Sequence, residues 1–382
     1  MKLNNDIIEL FTLFKKSNYQ LFIIGGAVRD YLLKRKIEDY DFATDATPSE
    51  MIEILKGYKI DTYQALLGSI KVHLNKKVYE ITTFRKDIGV KDLRYPNEIV
   101  FVKNLCEDVQ RRDFTINTLA YNADLGVVDS LNAINDLNMK QIKFVKNTIE
   151  SIKEDPIRLI RALRFSLLLG FEINEADLEL FCENASLVNE LGKIKYDELF
   201  KLVKIEGCKS FIIKYFNVYK KAYPQLDNIK FIDILKSDIQ EELLKYILIY
   251  YFNDESLLNL NKCDRVIIDG IRKIDIFNGD LYYTKLLIIE YKEKLDLILD
   301  LLNYLGYDVS KIIENVGLIR REKHPLSINE LQISYLDLEM FSINKKYYTK
   351  IFKYLLDQVL HDSTLNTKEK LISLINEQKG DF

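Results

Sequence analysis

Up to about residue 120 the apolar positions change period several times, from the three- and four-residue spacing of a helix to the short or alternating runs of a strand. The pattern predicts a helix over 5–15, a strand over 21–24 and a second helix over 28–34. Further strands are predicted over 40–42, 70–74, 78–84 and 99–101. These elements make a small α/β sheet domain. After Asp155 the alternation disappears, and Leu, Ile and Phe recur at three- and four-residue intervals to the end, which predicts a string of helices. Pro156, Pro224 and Pro325 fall where those helices begin or change direction. The fold class is therefore α+β: an N-terminal head with a small mixed sheet, then an all-α C-terminal region.

Composition narrows this picture. The 382 residues are 48% hydrophobic, with only 14 Gly and 5 Pro, which excludes disorder and allows two or three domains. The most apolar stretch, 243–252, is about half a membrane span and carries Lys245, so no membrane helix is expected. The first residues contain no apolar core of a secretory signal, and the expected location is the cytoplasm. Cys106, Cys182, Cys208 and Cys263 match neither a zinc pair nor a disulfide framework and are expected to be buried thiols. His73, His324 and His361 lack metal-ligand spacing.

Three strings carry chemistry. In the first, the strand at Leu21 runs into Gly25-Gly26 and a helix containing Arg29, followed by Asp39-Tyr40-Asp41. Two glycines without Cβ let backbone N–H groups approach an anion, and Arg29 lies one turn on, so a triphosphate fits, or else Gly25-Gly26 is only a tight strand-to-helix turn. Asp39 and Asp41, alternate residues of the predicted strand, share a face; two carboxylates so placed suit hard divalent cations, or else form a solvated turn. The second string is Glu107-Asp-Val-Gln-Arg111-Arg112-Asp113-Phe-Thr-Ile-Asn117, in which Asp113 and Asn117 would share one helix face beside the planar Arg112 cation. The third, Glu154-Asp155-Pro156-Ile-Arg158-Leu-Ile-Arg161-Ala-Leu-Arg164, has polar groups at successive helical neighbours. There Asp155 is either a helix N-cap with a solvated arginine stripe behind it, or half of a base-reading pair.

These strings resemble the class II nucleotidyltransferases of the polymerase β superfamily, the group of bacterial tRNA CCA-adding enzymes and poly(A) polymerases. Gly25 to Asp41 is similar to the opening pattern Gly-Gly-x-Val-Arg-Asp-x-Leu-Leu and Asp-x-Asp. The second string is similar to Arg-Arg-Asp-Phe-Thr-x-Asn, and the third to Glu-Asp-x-x-Arg. The resemblance implies a polymerase-β-like head (1–145), a helical nucleotide-recognition neck (146–210) and a helical RNA-binding body and tail (211–382). It implies Asp39 and Asp41 as catalytic ligands of Mg2+. Gly26, Arg29, Arg112, Asp155, Arg158, Arg161 and Arg164 are implied as nucleotide-binding, and Asp113 and Asn117 as ribose contacts. Glu80 is either a third carboxylate or part of a structural salt bridge, and residues 87–95 correspond to the family's flexible loop. The family has Asp-Pro-Phe and two glycines where this chain reads Asp129-Ser-Leu-Asn-Ala.

The tail from 326 to 375 resembles that of CCA-adding enzymes, with Lys345-Lys346 in place of Gly-Pro. The implied activity is addition of CMP, CMP and AMP to the tRNA 3′ end from CTP and ATP, without a membrane or an obligate protein partner. The alternatives are a poly(A) polymerase, a CC- or A-only enzyme, and an inactive RNA-binding paralogue. The net charge of −3 is offset locally by Arg111, Arg112, Lys140, Lys143, Lys146, Lys153, Arg158, Arg161 and Arg164, which place positive charge near the expected site.

Overall fold

The computed structural model describes residues 1, 3–89, 91, 93, 96–253, 260–341 and 343–378. The chain divides into two compact units, Met1–Asp227 and Asn228–Phe382. In the first, the helix Asn5–Lys16 buries Ile7, Leu10, Phe11 and Phe14, a stripe at helical spacing, and the Asn4 side chain caps it by accepting from the Ile7 N–H. That stripe lies against the sheet, where Phe11 meets Phe42 edge-on.

The strands are β1 (Leu21–Ile24), β2 (Asp41–Thr44), β3 (Lys59–Asp61), β4 (Ser69–Leu74), β5 (Lys77–Thr83), β6 (Arg85–Ile88), β7 (Glu98–Phe101), β8 (Ala120–Asn122) and β9 (Gly126–Val128). Seven form one mixed sheet in the order β3-β4-β5-β2-β1-β8-β9, with β2 and β5 parallel, and β6 pairs with β7 separately. The interior strand β1 is buried along its whole length, while Tyr79, Ile81 and Thr83 of β5 alternate inward with Glu80 and Thr82 on the other face. Beyond Asn138 the described residues of this unit are helical in their regular elements, as the spacing predicts. Arg94 and Tyr95, part of the expected flexible loop, lie outside the described residues.

The expected strand over 40–42 is displaced toward the C-terminus: Asp41 opens β2, and Asp39 precedes it. Residues 113–117 form no α-helix. Arg112 and Phe114 are extended, Phe114 is fully buried and bridges to Phe144, and only Thr115–Asn117 make a 3-10 turn, so tertiary pairing overrides the local helical pattern. Where the family has glycines, Asn132 takes a left-handed conformation, and the Asp129 carboxylate accepts from the Ala133 and Ile134 N–H groups at 2.8 and 2.9 Å. The cysteines also depart from expectation: Cys208 is buried, but Cys106 and Cys263 are exposed.

The second unit consists of helices from Ile229–Lys236 to Lys368–Glu377 among its described elements. Ile351, Leu355 and Val359 of the helix Tyr348–His361 form a stripe that packs with Leu338, Leu371 and Ile375 into one apolar cluster. Among the described residues, no helix is long and apolar enough to cross a membrane.

Candidate functional site

The glycine turn follows directly from β1. Gly25 has φ of +79°, where a side chain would be strained, and a Cβ there would sit 3.9 Å from the Arg112 guanidinium. Gly26 starts the short helix Gly26–Leu32 and lines an open recess with Arg29, Asp39, Asp41, Arg164 and Phe165. The structure thus brings the first string and part of the third into one place. Asp41 is paired in register with Glu80 on β5. Burial, then the neighbouring Glu80, push the Asp41 carboxyl above the ordinary range; Arg112 opposes this and Asp39 adds to it.

A second recess is lined by Arg112, Asp113, Asp155, Arg158, Arg161 and Glu198. Asp113 accepts from Asn117 at 3.1 Å and from Arg161 at 2.6 Å. Burial by itself would raise the Asp113 carboxyl, but Arg161 and Asn117 overcome it and hold it below the usual range. Arg158 donates to Glu154 at 3.1 Å and to the Arg111 carbonyl at 3.0 Å. Asp155 accepts from the Ile157 N–H at 3.3 Å, just ahead of the helix Ile157–Leu169 and its N-cap Pro156, while facing the recess.

The two recesses are joined by a chain of polar contacts. Arg29 donates to Asn117 at 2.8 Å, Asn117 to Asp113, and Asp113 receives Arg161. Arg161 lies 3.7 Å from Glu198, and Glu198 accepts from Arg164 at 2.8 Å, which returns the chain to the first recess. Phe165 sits within it, under the Arg164, Arg29 and Arg161 guanidiniums at 4.3, 5.1 and 5.6 Å. Arg29 is 5% exposed, and its guanidinium also binds Asp30, so it is held in place where it lines the recess beside the glycine turn.

Sequence reasoning missed Asp108, Glu198 and Phe165. Asp108 is fully buried and accepts from Arg111 at 2.9 Å and from Arg112 at 3.1 Å. Its spacing of three and four residues from those arginines was a usable signal. For Glu198 the only local signal was Lys201, which donates to it at 2.7 Å from three positions on; the arginines that tie it to the recesses lie more than thirty positions upstream. Among the described residues no three His, Cys, Asp or Glu side chains are grouped so as to hold an ion.

Residues 21–143 match the family model of the poly A polymerase head domain, which bears out the motif resemblance over that stretch. The CCA-adding enzyme of Limosilactobacillus reuteri is 39% identical over 204 residues, 52% of this chain and 50% of its own length. That of Staphylococcus saprophyticus is 35% identical over 232 residues, 59% and 56% of the two chains. The chain spans about half the length of the curated relatives it matches. In three dimensions it resembles the Bacillus stearothermophilus CCA-adding enzyme in complex with CTP, with a TM-score of 0.67 over 100% of both chains at 20% identity. It also resembles the Thermotoga maritima CCA-adding enzyme complexed with tRNA, with a TM-score of 0.60 over 98% of this chain and 96% of that one at 18% identity. These likenesses establish the fold.

Proposed function

We propose that this chain is a cytoplasmic CCA-adding tRNA nucleotidyltransferase that uses CTP and ATP. The observation that carries the reading is the linked pair of recesses: a glycine turn beside two carboxylates in one, and Asp155 with Arg158 in the other. The named activity of the relatives supports it. In this reading residues 1–145 are the head, 146–210 the neck that reads the base, and 211–382 the body and tail that grip tRNA.

The donor set fits a hard divalent cation, Mg2+ in this proposal. Asp39 and Asp41 supply two oxygen ligands, and the crowding of Asp41 by Glu80 and Asp39 leaves negative charge for a cation to neutralise. Glu80, in register beside Asp41, is a further carboxylate close to that pair. When bound, such a cation activates the attacking hydroxyl and offsets charge on the leaving pyrophosphate. The residues do the rest. The turn at Gly26 admits the triphosphate, Arg29, held by Asn117 and Asp30, places its cation beside that turn, and Arg112, held by Asp108, presents a planar cation. Asp113 and Asn117 meet the ribose. Arg161 and Arg164 brace Asp113 and Glu198 so that Asp155 and Arg158 keep their places.

Base choice follows from hydrogen-bond sense. A carboxylate accepts from the amino group of cytosine or adenine, and a guanidinium donates to the adjacent ring nitrogen or carbonyl. Uracil and guanine present a carbonyl to the carboxylate and are rejected.

The test is purified protein, magnesium, tRNA lacking its 3′ end and each labelled nucleotide in turn. Ordered incorporation of C, C and A is expected; C alone, A alone or long A tracts would point to the corresponding relative. Asp39→Ala and Asp41→Ala should each abolish addition while tRNA binding persists, and near-normal turnover in either would sink the ligand assignment.

A further inference from the structure

Four strands of the sheet carry a single row of charged side chains. Asp41 on β2 stands opposite Glu80 on β5, Glu80 opposite Lys71 on β4, and Lys71 opposite Asp61 on β3. Residues paired in this way point to the same face. Lys71 Nζ lies 3.9 Å from Glu80, and Ser69 Oγ donates to Glu80 at 2.7 Å. The row therefore runs outward from the candidate catalytic carboxylate over about 14 Å, three strand spacings. The glycine turn lies on the opposite side of Asp41, at the end of β1.

At the far end of the row, residues 62–68 form a tightly held turn. Ala65, Leu67 and Gly68 N–H groups donate to the Thr62, Gln64 and Ala65 carbonyls, each at 2.9 Å. The Asp61 carboxylate accepts from the Tyr63 N–H at 2.9 Å, and the Arg85 guanidinium donates to the Leu67 carbonyl. Gly68 has φ of +88°, and a Cβ there would approach the Phe101 ring to 2.9 Å, so the turn is fixed against β7. Yet this fixed turn holds Tyr63 and Leu66 out at 92% and 93% exposure. Isolated exposed apolar residues are ordinary. Two on one rigid turn, at the end of a row that starts at the reacting centre, form a preorganised platform.

We infer that the 62–68 turn seats the 3′ strand of the RNA acceptor, with Tyr63 stacking on a base upstream of the reacting hydroxyl. The inference rests on the nucleotidyltransferase reading. With the triphosphate at the glycine turn, in-line displacement of pyrophosphate requires the hydroxyl oxygen to approach from the opposite side of the α-phosphorus, which is the β5–β4 side. There it forms the new phosphodiester bond as the bond to pyrophosphate breaks. RNA fits better than a protein partner, because Tyr63, Leu66 and the 44% exposed Leu67 are interleaved with exposed Asp61, Thr62 and Gln64, and because base stacking on one aromatic ring needs no wider patch.

The test uses tRNA ending before CCA with 2-aminopurine at each of its last unpaired positions in turn. Binding of the full chain should quench one position. Tyr63→Ala should abolish that quench and raise KM for tRNA roughly ten-fold, with KM for CTP and the melting temperature unchanged, and Tyr63→Phe should restore both. An unchanged quench and an unchanged tRNA KM in Tyr63→Ala would overturn the inference. So would an altered sedimentation of the free protein with RNA affinity intact, which would mark a self-contact instead. Absence of nucleotide addition by the parent protein would overturn the activity reading alone, because the binding quench requires no turnover.

Discussion

Asp108 bears on both fold and activity through two guanidiniums. Burial would raise its carboxyl, but Arg112 and Arg111 overcome that and hold it below the ordinary range, so it is charged in the folded protein. Asp108→Ala leaves two cations without their shared partner, a change that costs about 3–5 kcal/mol when a buried pair is broken. The expected outcome is a lowered melting temperature together with a raised KM for CTP and ATP and little change in KM for tRNA. A melt shift without the nucleotide effect would confine Asp108 to stability. Glu50 offers a separate pH readout, remote from the recesses. The Thr47 backbone N–H is the main cause of its depression to about 2; burial opposes this, and Tyr19, the Thr47 hydroxyl and Lys103 assist. Because its folded value lies below the ordinary 4.5, its contribution is present above pH 4.5 and is lost as pH falls toward 2. With the side chain 36% exposed, solvent screening keeps that contribution small. Glu50→Gln should melt slightly lower than the parent at neutral pH, and the gap should close across that acid window.

At the scale of elements, the helix Ile157–Leu169 shows how much the sequence could say. Its apolar positions predicted it, its arginines at 158, 161 and 164 lie toward the recesses, and Pro156 stands just before its first turn. The strand β1 and the glycine turn were equally legible, because a short apolar run ending in Gly-Gly has few alternatives. The short strands β8 and β9 escaped notice, since three-residue strands carry too little periodicity to register. The helix expected through Asp113 and Asn117 failed for a tertiary reason: Phe114 pairs with Phe144, a partner thirty positions away. Their mutual contact survives all the same, through a 3-10 turn. Asp155 accepts from the Ile157 N–H ahead of that helix and also lines the recess, so both sequence readings of it stay open. Asp155→Ala separates them. Loss of a cap alone costs about 1 kcal/mol of stability and leaves the preference for CTP and ATP intact. Loss of a base contact reduces discrimination against UTP and GTP, with a rate penalty on the order of 1–3 kcal/mol. The expectation is both effects, read from four-nucleotide incorporation beside a thermal melt; unchanged selectivity would leave Asp155 a cap only.

Across the whole molecule, 55 basic residues face 58 acidic ones, so affinity for a polyanion has to come from local charge. The sequence suggested nine basic residues around the site. Seven of them have carboxylate partners: Arg111 and Arg112 share Asp108, Lys143 meets Asp136, Lys146 and Arg158 share Glu154, Arg161 meets Asp113, and Arg164 meets Glu198. A guanidinium already neutralised by a fixed carboxylate releases few counterions when it approaches a phosphate. The basic cluster therefore organises the recesses more than it binds RNA, and the salt dependence should be much shallower than nine free cations would give. Each phosphate neutralised on single-stranded RNA contributes about −0.7 to the log–log slope, so nine would give a slope near −6. The expected slope for tRNA is between about −2 and −4, the signature of a few phosphates gripped outside the paired cluster. Titration of tRNA binding with salt decides this. A slope near −6 would mean that the carboxylate partners let go of their cations when RNA arrives, and a flat response would argue against any polyanionic substrate.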